Sequence, residues 1–158
     1  MNLICPALLS AKFLPARSMN HAVAGGKDVS PPFLWGSIPP GTKSFALCIT
    51  DLDAERGVLW FVANIPAELR GLNEDVSGAL DRLPAGSLEF RNVYGDLRYG
   101  GPIVRPGDEP HRIGFQLWAL SIPTLEAGPF TPHPDRLSSI GPFIIETATL
   151  EAIATRTV

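Results

Sequence analysis

Cysteine is scarce in this 158-residue sequence, which contains only Cys5 and Cys48. Two distant cysteines exclude a framework of several disulfides and a multi-cysteine zinc site. Both stand in apolar, strand-like surroundings, so we expect buried, reduced thiols. Histidine is also sparse, and three scattered histidines without the spacing of metal ligands predict no metal site.

Charge and long apolar segments are limited as well. Charged residues make up 18% of the chain, and the formal net charge is −3. This balance provides no basic field, so we expect no nucleic-acid partner. No apolar run approaches the roughly 18 residues that span a bilayer, and the N-terminus lacks the basic start of a secretory signal. The sequence therefore predicts a cytoplasmic protein without a membrane span.

Motifs that hold nucleotides or other cofactors are missing. The sequence has no Gly-x-x-x-x-Gly-Lys loop and no Gly-x-Gly-x-x-Gly after a strand. Ser30 stands before two prolines, which suits an extended path and not the strand-to-helix turn of a hydrolase nucleophile. We therefore expect no cofactor.

Proline and glycine, by contrast, are abundant. The chain has 16 prolines and 15 glycines, which penalise helix interiors. Their even scatter favours short strands joined by turns. No repeat, low-complexity tract or linker divides the chain. The sequence predicts a mainly β protein folded as a single domain over residues 1–158.

Short apolar runs predict the elements of this fold. A proline within a run places that strand at a sheet edge. The C-terminal apolar spacing over residues 144–153 fits either a helix or a strand. The predicted strands are Leu3–Leu9, Phe13–Arg17, Ser44–Thr50, Val58–Ala63 and Ile113–Leu120, with a helical turn at Glu68–Arg70 and a short helix at Asp135–Ile140 whose N-cap lies near Asp135.

A long loop between two predicted strands is the main candidate for a site. Residues Tyr99–Arg112 combine Gly, Pro, charge and a histidine. Glycine's access to positive φ and the proline ring fix such a backbone without helix or sheet. His111 lies at the mouth of the strand that follows. A histidine there is either a titratable functional group or a hydrogen-bonded structural residue.

Two carboxylates follow a predicted central strand. Asp51 and Asp53 come directly after Ser44–Thr50, which places acid at the rim of the sheet. Such aspartates are either pocket residues or turn formers that accept backbone N–H groups. Tyr99 has two interpretations as well, packing or ligand contact.

Three sequence blocks occur in a characteristic order. They are Val29-Ser30-Pro31-Pro32, then Asp51-Leu52-Asp53-Ala54, then a loop with Gly100-Gly101-Pro102, Pro106-Gly107 and His111-Arg112. Their order and spacing resemble the phosphatidylethanolamine-binding protein family, specifically its short bacterial Raf-kinase-inhibitor-like branch. The resemblance implies a large antiparallel sheet packed against a smaller one, few short helices near the C-terminus, a helix followed by a final strand, and a homodimer.

The resemblance also implies a pocket for phosphate-type anions. Carried onto this sequence, the family residues present are Asp51, Asp53, Pro102 and His111. Leu59 stands where the family has a histidine, and Gly25 where it has an acidic residue. Ile103 and Val104 follow the Gly-Pro step. These changes remove hydrogen-bond partners and add apolar wall, so we expect a weaker anion site.

Two functions remain open. The first is a small-ligand-binding protein with a retuned, more apolar pocket, in which Asp51 or Asp53 orients His111. The second is a cofactor-independent enzyme of cyclase or isomerase type, in which His111 and an aspartate act as general acid and base on a hydrophobic small molecule, as in biosynthesis. The predicted ligand contacts are Tyr99, Gly101, Pro102, Ile103, Leu59 and Arg112.

Overall fold

The computed structural model describes residues 1–8, 12–55, 57–79 and 81–156. In this part of the chain, eight strands form two antiparallel sheets, and one α-helix lies near the C-terminus. The mainly β fold with a large and a small sheet is therefore confirmed. The elements are β1 (Asn2–Ile4), β2 (Phe33–Gly36), β3 (Ser44–Asp51), β4 (Val58–Pro66), β5 (Gly71–Leu72), β6 (Leu88–Glu89), β7 (His111–Leu120), α1 (His133–Ile140) and β8 (Ile144–Ala154), with 3-10 turns at Ala16–Ser18 and Gly141–Phe143.

Strands β3 and β7 form the centre of the large sheet. Its strand order is β6-β4-β3-β7-β8, and that of the small sheet is β1-β2-β5. The β3–β7 pairing runs from Ser44 opposite Leu120 to Asp51 opposite Ile113. Because this pairing is antiparallel, the C-terminal end of β3 meets the N-terminal end of β7. This rim of the sheet carries the candidate site.

Both faces of the large sheet are buried. Odd-numbered residues of β3 from Phe45 to Ile49 pack in a cluster with the small sheet. Even-numbered Ala46 and Cys48 belong to a second cluster that includes Ile140 of α1. Successive side chains of a strand point to opposite faces, so two apolar layers produce the continuous apolar run of β3.

Both cysteines are buried free thiols, as the sequence predicts. No helix in the described ranges is long and apolar enough to cross a bilayer.

The N-terminal strand predictions are only partly correct. Strand β1 ends at Ile4, because Pro6 has no N–H to continue a ladder; Leu9, the predicted end, lies outside the described residues. The predicted strand at Phe13–Arg17 is wrong. Phe13 makes one isolated parallel bridge to Ile153, and a 3-10 turn begins after Pro15.

The predicted helical turn at Glu68–Arg70 is also wrong. The N–H of Leu69 donates to the carbonyl of Pro66 at 3.1 Å, which closes a single β-turn between β4 and β5. Gly71 then starts β5, and its close approach to the backbone of Phe33 leaves no room for a longer helical segment.

The C-terminal helix begins earlier than predicted. It starts at His133 with Pro132 as N-cap, so Asp135 lies inside the first turn and caps no N–H group there. The Gly141-Pro142 step ends the helix. Residues Ile144–Ala154 then form one strand paired with β7. The resemblance predicted a helix followed by a final strand, and these are α1 and β8. The helical interpretation of residues 144–153 is wrong, because their β-branched side chains favour a strand that extends the sheet.

Candidate functional site

A histidine–carboxylate pair occupies the rim where β3 ends and β7 begins. Asp51 lies opposite Ile113, so His111, two residues earlier, is its diagonal neighbour on the same face. Nδ1 of His111 lies 2.7 Å from Oδ2 of Asp51. The side chains of His111 and Asp51 are 14% and 3% exposed. The sheet register thus brings together the two residues that sequence analysis placed at the centre of the site.

Asp51 has two roles at once. Its Oδ1 accepts the N–H of Asp53 at 3.0 Å, which is an Asx turn. Its backbone N–H donates to the carbonyl of Gly57 at 2.7 Å. One carboxylate oxygen therefore fixes the turn, and the other faces His111, so the two interpretations of Asp51 are compatible.

A cavity of about 270 Å³ lies beside this pair. Since Nδ1 of His111 is engaged by Asp51, Nε2 is the ring nitrogen left for a ligand. Leu59, which is 1% exposed, forms apolar wall of this cavity, and its equivalence with the family's histidine stays a prediction. The apolar lining is Leu59, Val93, Ile103 and Ala54, and the polar lining is Asp51, His111, Tyr94, Glu55 and Arg105, with Gly57 between them.

A smaller cavity of about 200 Å³ adjoins the first, and Tyr94 and Ile103 line both. Its lining includes the partly buried carboxylate of Asp28. Oδ1 of Asp28 accepts the N–H of Gly101 at 2.8 Å, and its Oδ2 lies 2.5 Å from Nδ1 of His21. This arrangement connects the turn before Val29 to the Gly-Gly-Pro loop.

The equivalence of Gly25 with the family's acidic position stays a prediction. The carboxylate that contacts the Gly-Gly-Pro loop is Asp28, the residue directly before Val29. Gly25 has a φ of +78° and shapes the turn three residues upstream. The adjacency of Asp28 to the Val-Ser-Pro-Pro block was the available sequence signal. The Gly-Gly-Pro loop is thus held by a carboxylate that sequence analysis did not single out.

Tyr94 is the main site residue that sequence analysis missed. Its hydroxyl donates to the carbonyl of Gly101 at 2.7 Å. Burial, followed by the nearby charges of Asp51 and Asp28, raises the pKa of Tyr94 to about 12, so the group stays a donor near neutral pH. Its position in the segment that leads into the loop was the only sequence signal.

The predicted contacts Tyr99, Gly101 and Pro102 hold the loop in place. The buried Tyr99 hydroxyl donates to the carbonyl of Ser18 at 2.6 Å, and burial raises the pKa of Tyr99 well above its ordinary value. The carbonyl of Pro102 accepts the N–H of Asn20 at 3.2 Å. Tyr99 also lines the smaller cavity. Direct contact of these three residues with a ligand stays a prediction.

Asp53 and Arg112 form an exposed pair outside the cavity lining. Nη2 of Arg112 lies 3.0 Å from Oδ1 of Asp53, and the N–H of Arg112 donates to Oδ2 at 2.7 Å. The side-chain hydrogen bonds of Arg112 hold the pKa of Asp53 below its usual value. Asp51, and not Asp53, is the carboxylate in contact with His111. Among the residues that the structure describes, no group of three His, Cys, Asp or Glu side chains is arranged to hold a metal ion.

Comparison with curated proteins gives relatives from bacteria and archaea. The UPF0098 protein YbcL of Escherichia coli K12 is 41% identical over 110 residues, which are 64% of this chain and 60% of YbcL. The UPF0098 protein of Methanothermobacter thermautotrophicus is 37% identical over 127 residues, 79% of this chain and 82% of that protein. The matched region thus spans less than two thirds of YbcL.

Solved structures extend the likeness to almost the whole fold. The crystal structure of E. coli YbcL, described as a new member of the mammalian PEBP family, has a TM-score of 0.89 at 27% identity and covers 99% of this chain and 98% of its own. A PEBP homologue from Chlamydia trachomatis has a TM-score of 0.81 at 22% identity, covering 99% and 97%, and supports the fold alone.

The family profile completes the comparison. The phosphatidylethanolamine-binding protein profile matches residues 9–153, a range that includes all three sequence blocks and the pair of Asp51 and His111. This chain therefore belongs to the phosphatidylethanolamine-binding protein family.

Proposed function

We propose that this protein binds a small, partly apolar ligand in the cavity beside His111 and Asp51. The observation that supports the proposal best is the 2.7 Å contact between Nδ1 of His111 and Oδ2 of Asp51 at the edge of that cavity. The contact orients Nε2 as the polar group for the ligand. Leu59, Val93 and Ile103 provide the apolar wall, and family membership supports small-ligand binding in general.

We expect inorganic phosphate and phosphoethanolamine to bind only weakly. Leu59 stands where an additional histidine donor is expected, and the carboxylates of Asp51 and Glu55 line the same cavity. They oppose the attraction of an oxyanion to Arg105 and His111. Loss of one charge-assisted partner costs about 1.5–3 kcal/mol, or one to two decades in affinity. Calorimetric titration with each ligand measures the effect. Micromolar affinity for either one would contradict a retuned pocket.

The variant Leu59→His tests the cause. We expect it to strengthen phosphate binding, because an imidazole then faces the cavity from β4. Leu59→Met is the matched control, since it keeps the volume without adding a donor. Equal affinities in the two variants would show that Leu59 does not limit anion binding.

Substitutions of His111 test the binding function directly. Glutamine keeps a donor near the position of the imidazole, whereas alanine removes it. For a binding protein, His111→Gln retains much of the affinity that His111→Ala loses, by calorimetry with the natural ligand or a screened surrogate. Unchanged affinity in both variants would leave cavity shape as the only determinant.

The second candidate is a cofactor-independent cyclase or isomerase that acts on an apolar substrate. It is favoured by the Asp51–His111 contact, because a carboxylate on Nδ1 holds the imidazole in one orientation, as general acid–base catalysis requires. In this case His111→Gln and His111→Ala both abolish turnover, while His111→Gln still binds substrate. Turnover at the wild-type rate in both variants would remove acid–base catalysis by His111.

The remaining expectations concern assembly and location. We propose a homodimer of a single-domain cytoplasmic chain. Ile4 and Leu34 support the dimer, since they pair in register on the small sheet and are 55% and 53% exposed. Light scattering at several concentrations tests the dimer, with Leu34→Lys expected to dissociate it. A strictly monomeric mass at high concentration would contradict it.

A further inference from the structure

A third cavity, of about 540 Å³, lies at the N-terminal end of α1. It shares Val93 with the cavity of His111 and has otherwise separate walls. Every residue of this lining that carries charge is basic, within the part of the chain that the structure describes. The lining consists of Val58, Arg91, Asn92, Val93, Pro132, His133, Pro134 and Arg136.

Arg136 is a buried cation without a counterion. It is 3% exposed. Its Nε donates to the carbonyl of Thr131 at 2.6 Å and its Nη2 to the carbonyl of Arg91 at 2.8 Å. Its Nη1 is buried without a hydrogen-bond partner. Over the described residues, no carboxylate pairs with the guanidinium of Arg136. A buried charge compensated only by neutral groups is costly.

The ring faces of two phenylalanines offset part of this cost. The guanidinium carbon of Arg136 lies 5.5 Å from the ring centroid of Phe61 and 5.1 Å from that of Phe90. Such contacts stabilise a cation through the negative face of the ring. They leave the net charge in place, so the positive potential extends into the neighbouring cavity.

His133 has the same deficiency. Its Nδ1 is also buried without a partner, and its ring packs edge-on against Phe61 at 5.9 Å between centroids. Burial and then the charge of Arg136 lower the pKa of His133, and burial lowers the pKa of Arg136. Both directions are those expected of cationic groups that lack a nearby anion.

We infer that this cavity is a binding site for an organic oxyanion, a carboxylate or phosphate ester that carries an apolar group. Its charged oxygen faces Arg136 and His133, and the exposed Arg91 closes the rim. Val58 and Val93 contact the apolar group. The volume is within the range of about 300–1,000 Å³ typical of small-molecule sites, larger than an inorganic anion requires.

The test is a titration of the full chain with octanoate, octyl phosphate, inorganic phosphate and octanol. NMR shifts of the His133 ring protons report binding at this cavity. We expect both amphiphilic anions to shift these signals at millimolar concentrations, and octanol and inorganic phosphate to bind at least about tenfold more weakly. The stronger of the two anions identifies a carboxylate or a phosphate ester as the source. Absence of any shift, or equal binding of octanoate and octanol, would overturn the inference.

Charge variants provide the second arm. Arg136 is part of the core, so the rim residue Arg91 is the better target: Arg91→Glu should weaken octanoate binding at least about tenfold. Lys43→Glu is the matched control. It makes the same change in charge far from the cavity. Lys43 precedes Ser44 at the start of β3, whereas the cavity residue Val58 pairs with Thr50 at the other end of that strand. Equal losses of octanoate affinity in the two variants would show that only the net charge of the protein matters, and would contradict a binding site in this cavity.

Two further variants separate this site from that of His111. His133→Phe keeps the ring contact with Phe61 but removes the donor, and we expect weaker octanoate binding, followed in this variant by the backbone amide signals of Arg91 and Asn92, which line only this one of the two cavities. His111→Gln should leave octanoate binding unchanged. A loss in His111→Gln and none in His133→Phe would assign the anion to the cavity of His111 and overturn the inference, whatever the outcome for the proposed function.

Discussion

Position 101 accepts only glycine. A Cβ there would lie 2.2 Å from the carbonyl carbon of Met19 and 2.3 Å from the nitrogen of Asn20, and backbone atoms cannot rotate away. We therefore expect Gly101→Ala to lower the free energy of unfolding by about 1–3 kcal/mol and to displace the contacts of the loop with Asp28 and Tyr94. Chemical denaturation measures the first effect.

Gly128→Ala is the control for that substitution. No atom lies within 4 Å of a Cβ at Gly128, so the change should stay within about 0.5 kcal/mol. A Gly101→Ala protein as stable as the control would show that residues 18–20 yield to the added methyl group.

Cys48 makes the stability sensitive to alkaline pH. Burial raises the pKa of the Cys48 thiol to about 11, whereas a thiol in the unfolded chain titrates near 8.5. Between these values the unfolded chain has lost the proton and the folded chain has kept it. The free energy of unfolding therefore falls as pH rises, by up to about 1.4 kcal/mol per unit.

The variant Cys48→Ala isolates this effect. It should flatten the fall in stability between pH 8.5 and 10.5, measured by urea denaturation at each pH, even though the deleted sulfur lowers stability at every pH. Parallel curves for the two proteins would mean that the thiol does not contribute.

At the scale of elements, Glu89 fixes the two-residue edge strand β6. Its Oε1 accepts the indole N–H of Trp60 at 2.8 Å and the hydroxyl of Ser77, and its Oε2 accepts the N–H of Gly78 at 3.0 Å. Hydrogen bonds to a charged group contribute about 1.5–3 kcal/mol each. Contributions that share one carboxylate are not additive, so Glu89→Ala should destabilise the protein by at least about 2–3 kcal/mol.

Glu89→Gln distinguishes the hydrogen bonds from the charge. It keeps one acceptor oxygen, so its stability in thermal and chemical denaturation should lie between those of the wild type and Glu89→Ala. A Glu89→Ala protein with wild-type stability would show that main-chain pairing with β4 is sufficient to hold β6.

The central strands were predictable because burial of apolar side chains alone determines them. Residues 45–49 of β3 are apolar whichever face they occupy, and no helix-length run competes. Strand β8 was not predictable from its own sequence, since its apolar residues fit two periods. Only its ten-residue partner β7 decides the outcome, and that pairing is non-local.

The same distinction applies to the site. Asp51 and His111 were predictable because each ends or begins a strand that the sequence identifies. Tyr94 and Val93 line the cavity from a segment without regular structure. In such a segment no periodicity in the sequence predicts which way a side chain points. Asp28 was missed because the position of a turn residue shifts freely until a contact such as that with Gly101 fixes it.

For the whole molecule, the partly buried imidazole of His133 limits stability at acid pH. Burial lowers the pKa of His133 below its ordinary value near 6.5. Its contribution to stability is thus present above about pH 6.5 and is lost as pH falls through the folded value, because the unfolded chain binds the proton first. Thermal denaturation between pH 5 and 7 should show a smaller acid-side loss for His133→Phe than for the wild type. Identical losses would exclude His133 as the cause.

The turn at Asn92 connects all three cavities. Oδ1 of Asn92 accepts the N–H groups of Tyr94 and Asp96, and its Nδ2 donates to the carbonyl of Arg98. Val93 separates the cavity of His111 from that of Arg136, and Tyr94 separates the cavity of His111 from that of Asp28. Because adjacent residues of one turn form both shared walls, a ligand that displaces the turn changes the shape of the adjacent cavities. Ligand binding in one cavity is then coupled to binding in the next, and each ligand changes the affinity of the other ligand by the same factor.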